Sequence, residues 1–157
     1  MKQLLSILLA TTFSIAASAQ EWQKFEIDEF DFIFDIPPDF EMTDSYRQDG
    51  SEGIVFKNPD NHTIIVWGFY LDQRGFLAQV TEQMRRYEGL GWRFTYSRLH
   101  PSWAVYSGVK DELIQYVKFI TLCDNRVASF LMEYSREQKR EYDPIVLRME
   151  KSMRSNC

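Results

Sequence analysis

Residues 30–38 read Phe30-Asp31-Phe32-Ile33-Phe34-Asp35-Ile36-Pro37-Pro38. Phe30, Phe32, Phe34 and Ile36 alternate with Asp31, Ile33 and Asp35. A period of two sends successive side chains to opposite faces, so the run is a half-buried strand. Pro37-Pro38 ends it, because proline has no N–H to donate to a strand ladder. Downstream, residues 39–52 are polar and irregular, and Asp49-Gly50 is a turn signal. Residues 53–57 form a short strand, Asn58-Pro59-Asp60-Asn61 a turn and residues 63–70 another strand, which together make a hairpin. Upstream, residues 22–27 offer one extra strand.

Beyond the hairpin the period changes. Phe76, Val80, Met84 and Tyr87 recur at helical spacing, with Leu77 widening the stripe and Asp72 as N-cap. Gly89 and Gly91 stop this helix. Trp92, Phe94 and Tyr96 then alternate with Arg93, Thr95 and Ser97, and His100-Pro101-Ser102 turns the chain. Strand-like runs follow at 103–109, 113–122 and 127–134, separated by Lys110-Asp111-Glu112 and Asp124-Asn125. Such short connections join antiparallel neighbours. Residues 135–141 are a charged connection. Asp143-Pro144 supplies N-cap and first position of a last helix, with Val146, Met149 and Met153 on one face. Only the central helix is long enough for a parallel crossover. The fold class is α+β, a mostly antiparallel sheet flanked by two helices.

The N-terminus is an address. Lys2 gives a positive start, residues 4–15 are apolar apart from Ser6, Thr11, Thr12 and Ser14, and Ala17-Ser18-Ala19 places small residues at a peptidase site. This is a signal peptide, residues 1–19, cut before Gln20, and residues 20–157 are one α+β domain. The apolar run is too short for the ~20 residues that span a bilayer. The product is secreted or periplasmic, with no stable membrane anchor. In an oxidising compartment two cysteines in a small domain usually pair. Cys123 and Cys157 would close a loop of about 35 residues, worth roughly 3–4 kcal/mol in the chain-entropy picture. Two free thiols, or an interchain bridge through Cys157, are the alternatives.

Composition removes several function classes. A formal net charge of −5 argues against nucleic acid, which demands excess Lys and Arg. Two His and two Cys are too few for zinc-finger arrays. No G-x-S-x-G elbow surrounds Ser107-Gly108, and Gly89-Leu90-Gly91 lacks a phosphate-binding lysine. His62 and His100 sit at turns and read as exposed loop histidines, remote from any Ser, Cys or carboxylate. Asp60-Asn61-His62 and Asp28-Glu29 with Asp31 lack calcium-loop spacing. Glu133 and Asp111 are the acids a glycosidase would need, but nothing in their spacing selects them. No cofactor or metal is expected. Most of the 12 Phe, 8 Tyr and 4 Trp alternate along strands and belong to the core. Trp67, Trp92 and Trp103 are the candidates for an aromatic binding face. The stretch 39–52 is the next candidate surface if they are buried.

The segment F-I-F-D-I-P-P-D-F and the later G-I-V-F-K-N-P-D-N resemble a class of small exported bacterial proteins with the Mog1/PsbP-like fold. So do Tyr96, the Trp103 strand ending in Ser107-Gly108, the Tyr116 strand with Cys123, and the helix carrying Tyr142-Asp143, Arg148-Met149 and Ser152. The resemblance implies an α/β/α sandwich with its antiparallel sheet between helices. It also implies an adaptor-like role; one branch of the fold binds a small GTPase and another serves photosystem assembly. No residue here matches a partner-binding motif, so neither partner carries over. The reading is a monomeric, non-enzymatic binding or adaptor domain whose partner is an unknown protein or envelope component. A hydrolase with an unrecognised active site is the alternative. Intact-mass measurement of the exported protein should find a soluble chain starting at Gln20; a membrane-bound species retaining Met1–Ala19 would overturn this.

Overall fold

A computed structural model describes residues 21–48 and 50–157; the signal segment, its cut and Asp49 lie outside them. Strands β1 (Gln23–Ile27) and β2 (Phe32–Ile36) pair antiparallel. The quoted aromatic run is therefore not one strand. Asp28–Phe30 is a single 3-10 turn, and Asp31 adopts φ 50°, a left-handed conformation that aspartate tolerates. That reversal lets Phe30 enter the core from the turn while Phe32, Phe34 and Ile36 enter it from the strand; all four are buried, whereas Asp31, Ile33 and Asp35 are half-buried.

Residues 39–52 are not irregular. They hold β3 (Glu41–Gln48) and the start of β4 (Ser51–Lys57), with Gly50 at φ 75° in the turn. β3 is an edge strand with both faces largely wet, so it carries no apolar alternation for a sequence reading to find. β5 (Thr63–Tyr70) completes the expected hairpin with β4. Helix α1 (Phe76–Gly89) starts later than expected. Gly75 occupies its N-cap, while Asp72 accepts the Arg74 backbone N–H at 2.9 Å in a turn ahead of the helix. Phe76 and Val80 are buried, Met84 and Tyr87 half-buried, and Leu77 points outward.

The chain then runs through β6 (Arg93–His100), β7 (Trp103–Lys110), β8 (Leu113–Thr121) and β9 (Arg126–Ser135). The last helix, α2 (Lys139–Ser152), begins before Asp143-Pro144. The Ser135 hydroxyl accepts the Glu137 N–H and opens a 3-10 turn that runs straight into α2, so Pro144 sits inside the helix. Pro144 has no N–H to donate there, so one bond of the helix ladder is missing. Tyr142, Val146, Met149 and Met153 are buried. β10 (Arg154–Ser155) adds a third strand beside β2.

The strands form a seven-stranded antiparallel sheet in the order β3-β4-β5-β9-β8-β7-β6 and a three-stranded sheet in the order β1-β2-β10. α1 packs on one face of the large sheet over Trp67, Tyr106, Val117, Phe119 and Leu131. The other face carries Phe56, Ile64, Phe130 and Met132 against the small sheet and α2. The second layer is thus a helix plus a small sheet rather than a helix alone. Gly68 is required at its position, because a Cβ would come within 2.3 Å of the Phe30 ring. Cys123 and Cys157 are bonded, with Cα atoms 6.1 Å apart. Among the described residues no helix is long and apolar enough to cross a membrane. Phe32 is fully buried, so Phe32→Ala should lower unfolding free energy by about 3–5 kcal/mol in a denaturant titration; a loss below about 1 kcal/mol would mean the site is not packed.

Candidate binding groove beside the first helix

An α-helix of 14 residues is about 21 Å long and 10–12 Å wide, whereas seven strands at about 4.8 Å spacing span nearly 30 Å. One helix cannot cover that face. α1 packs mainly on β6 and β7, and a cavity remains between it and the β3–β5 side of the sheet. Tyr46, Ser51, Val55, Ile65 and Trp67 line the uncovered floor, and Gln83 and Tyr87 of α1 form the wall of a cavity of about 410 Å³. Gly53 shapes the floor: a Cβ there would meet the Tyr46 ring at 2.6 Å, so glycine lets the ring lie flat across β4. Ser51, Trp67 and Gln83 are shared with a second opening of about 170 Å³, walled by Phe69, Arg74, Gln79, Glu82 and Arg86. There the Arg86 guanidinium donates to Glu82 at 2.7 Å, and Arg74 pairs with Asp72 and Glu82.

Outside the groove lining, the same sheet face carries polar groups on β7, β8 and β9. Gln115 of β8 lies opposite Glu133 of β9, and its Nε2 donates to Glu133 Oε1 at 2.9 Å. The Gln115 carbonyl oxygen and the Tyr106 hydroxyl are buried without a partner among the described residues. Burial, with the Glu133 carboxylate nearby, pushes the Tyr87 hydroxyl from the ordinary 10.0 up to about 12. Burial raises the Tyr106 hydroxyl too, with Tyr87 as a second contributor. Both phenols are therefore protonated, neutral hydrogen-bonding groups at neutral pH.

The three tryptophans do not share a surface. Trp67 is 7% exposed and lines the groove floor. Trp92 is equally buried just after α1, with its backbone N–H on the Tyr87 carbonyl at 3.1 Å, and walls neither opening. Trp103 is half-buried on the opposite sheet face, stacked by His100 at 5.6 Å and capped by the Lys118 ammonium 4.6 Å from its ring. Strand register separates Trp67 from Trp103: Trp67 shares its face with Ser129, Phe119 and Ala104, Trp103 with Ile120. Two residues of the fallback stretch 39–52, Tyr46 and Ser51, do line the groove.

The histidines also differ from expectation. His62 is buried, because the hairpin turn folds under α2; its Nδ1 is 2.8 Å from the Tyr142 hydroxyl, and its backbone N–H donates to Asn58 Oδ1. His100 is exposed, but its Nδ1 lies 3.1 Å from Ser102 Oγ. The Ser102 backbone N–H approaches the same nitrogen at 3.3 Å, so the pair closes the β6–β7 turn. The acidic run 28–31 is engaged by other side chains: Asp31 accepts from Arg126 at 2.5 Å, and Glu29 from the Tyr70 hydroxyl at 3.1 Å. Glu133 faces the α1 side of the sheet, whereas Asp111 is exposed in the β7–β8 turn at φ 50°. Among the described residues no group of three or more His, Cys, Asp or Glu could hold a metal ion.

Sequence reading misses Tyr87 as a groove residue, because its helical spacing reads as part of a core stripe. Gln115 carried a usable signal: a lone amide between Ile114 and Tyr116 in an apolar strand, where a polar side chain needs a reason to be.

No family model matches the chain, and no curated protein matches it. Solved structures do. The cyanobacterial PsbP (CyanoP) of Synechocystis sp. PCC 6803 is 12% identical, over 92% of this chain and 98% of that one, with a TM-score of 0.63. The Ran-binding protein Mog1p of Saccharomyces cerevisiae is 12% identical, over 87% and 96%, with a TM-score of 0.57. The chain has the Mog1/PsbP-like fold, and at this identity the likeness concerns the fold alone.

The buried tyrosines make stability fall in alkali. Burial also lifts the Tyr142 hydroxyl to about 12. A group whose pKa is raised in the folded state contributes stability that is fully present below its unfolded pKa, here 10.0, and is lost as pH rises through the folded value. Unfolding free energy should therefore be flat up to about pH 9 and decline between about 10 and 12. Tyrosinate absorbance at pH 11 should fall well short of the eight tyrosines. Complete ionisation at that pH in the folded protein would contradict the burial.

Proposed function

We propose that the protein is a non-catalytic binding domain of the periplasm or the secreted fraction, and that it holds a protein partner in the groove between α1 and β3–β5. The observation that carries this reading is the half-open aromatic floor of Tyr46, Val55, Ile65 and Trp67, left bare by a helix too narrow to cover it. Half-buried aromatic and aliphatic groups beside a polar wall form an anchor pocket of the kind that dominates protein interfaces. The fold neighbours supply a precedent, since Mog1p is a Ran-binding protein. The Ala17-Ser18-Ala19 processing pattern and the Cys123–Cys157 bond support export.

The test is capture of partners from the native envelope and medium by the wild-type protein, Val55→Arg and Leu147→Arg. Val55 lies in the groove, and Leu147 is an exposed residue of α2 beside the opposite sheet face. Both variants should keep the wild-type circular dichroism. Val55→Arg should lose the partner at least tenfold, a cost of about 1.4 kcal/mol, while Leu147→Arg should retain it. The converse pattern would move the binding site to the α2 face and refute the groove.

A further inference from the structure

The sheet face opposite the groove carries a second recess, between α2 and the β6–β8 strands. Two cavities of about 410 and 450 Å³ lie there, and both are lined by Leu147. Tyr96, Tyr116 and Tyr134 line the first, Trp103 and Ile120 the second. Strand register sets this floor: Tyr96 pairs with Ser107, Ser107 with Tyr116, and Trp103 with Ile120. Tyr96 is 45% exposed and Leu147 54%. The α2 residues that wall the recess run from Lys139 to Lys151, about 18 Å of helix at 1.5 Å per residue.

The carboxylates of this wall are already occupied. Asp143 accepts from the Lys139 ammonium on one oxygen and from the Tyr134 hydroxyl, at 3.4 Å, on the other. Glu150 repeats the arrangement: Lys118 Nζ donates to Oε1 at 2.7 Å and the Tyr116 hydroxyl to Oε2 at 2.9 Å. Each acid therefore has one lysine to balance its charge and a donor on each oxygen. The cations are not all balanced. Arg98 follows Tyr96 by two residues on the same sheet face, its guanidinium 5.9 Å from the Tyr96 ring centroid, and Lys151 lines the second cavity. Both are exposed, and among the described residues neither enters an ion pair. The rim of the recess is thus positive on a chain whose formal net charge is −5.

That combination selects an occupant. A basic segment would meet Arg98 and Lys151 and find no unanswered carboxylate among the residues lining the cavities. A neutral apolar segment would fill the floor and gain nothing from the two charges. A segment with a large apolar side chain and neighbouring Asp or Glu answers both. Five or six extended residues at about 3.3 Å each match the length of the wall. We infer that the recess between α2 and β6–β8 docks an acidic segment of a partner protein, with an apolar side chain seated among Tyr96, Tyr116 and Trp103 and its carboxylates held by Arg98 and Lys151. This is a second surface, on the other face of the sheet from the groove beside α1, and it does not rest on that groove being occupied.

The probe is the peptide acetyl-Glu-Asp-Phe-Glu-amide, titrated into the purified protein and followed by NMR beside its Ala-for-Phe counterpart and the basic peptide acetyl-Lys-Lys-Phe-Lys-amide. The acidic phenylalanine peptide should shift the Trp103 indole and the Tyr96 and Arg98 amide signals saturably, with Kd on the order of 1 mM. The alanine counterpart should bind more weakly, the basic peptide should leave these signals in place, and added salt should weaken the acidic probe. Arg98→Glu and Lys151→Glu, each on its own, should weaken it by about threefold to fivefold. Arg85→Glu, the same charge change at an exposed position of α1, should not. No shift with the acidic probe, equal binding of the basic peptide or of the alanine counterpart, or an equal loss with Arg85→Glu would each overturn the inference. Shifts of the same signals by phosphatidylglycerol vesicles but not by the peptide would make the recess a membrane contact. Shifts on diluting the protein alone would make its occupant a second copy of the chain. Either result would replace the acidic segment and overturn the inference as well.

Discussion

Strand β9 is covered on both faces. Val127 and Leu131 lie beneath α1, while Ala128, Phe130, Met132 and Tyr134 lie against the small sheet and α2. Its flanks are taken by β5 and β8, so nearly all of its backbone bonds are spent inside the protein. That burial governs the topology. The chain makes the β3–β4–β5 meander, crosses the sheet through α1 to the far edge, and returns by three hairpins until β9 closes against β5. The closure joins strands roughly 60 residues apart, so its entropic cost is offset by the contacts β9 makes once it is in place.

The small sheet is bound into this scheme through the C-terminus. The Asp35 N–H donates to the Ser152 hydroxyl at 2.9 Å, and the Asn156 N–H to the Asp31 carbonyl at 2.8 Å. β10 pairs with β2, and the Cys123–Cys157 bond ties the last residue to the β8–β9 turn. The N-terminal hairpin therefore rests on residues at the opposite end of the chain. Asp31 reinforces this, because its carboxylate pairs with Arg126 at the start of β9.

The groove follows from the same layering. The small sheet and α2 cover one face of the large sheet; on the other, a single helix packs mainly on the β6–β7 side and leaves a cavity toward β3–β5. The groove's aromatic floor is what that layering leaves half-covered, and the same sheet face carries Tyr106, Gln115 and Glu133 farther along, on β7, β8 and β9.

Much of the fold was legible because alternation and turn chemistry are local. Phe32, Phe34 and Ile36, the β4–β5 hairpin, the Phe76–Gly89 stripe and the Cys123–Cys157 pair all followed from nearest neighbours, period or cysteine count. The errors arose where local signals are degenerate. β3 pairs along an edge and needs no apolar face, Asp143-Pro144 lies inside α2 rather than at its start, and Asp72 serves a turn that resembles a cap. The sequence by itself determined the α+β class, the strand alternation and the identity of the core residues, since these depend on spacings of two and three to four along one chain. Only the tertiary structure decided that His62 is buried under Tyr142, that Trp67 and Trp103 face opposite ways, and that Tyr46, Tyr87, Gln115 and Glu133 gather on one face. Those facts depend on which strand lies beside which, and strand order is set by packing between segments remote in sequence.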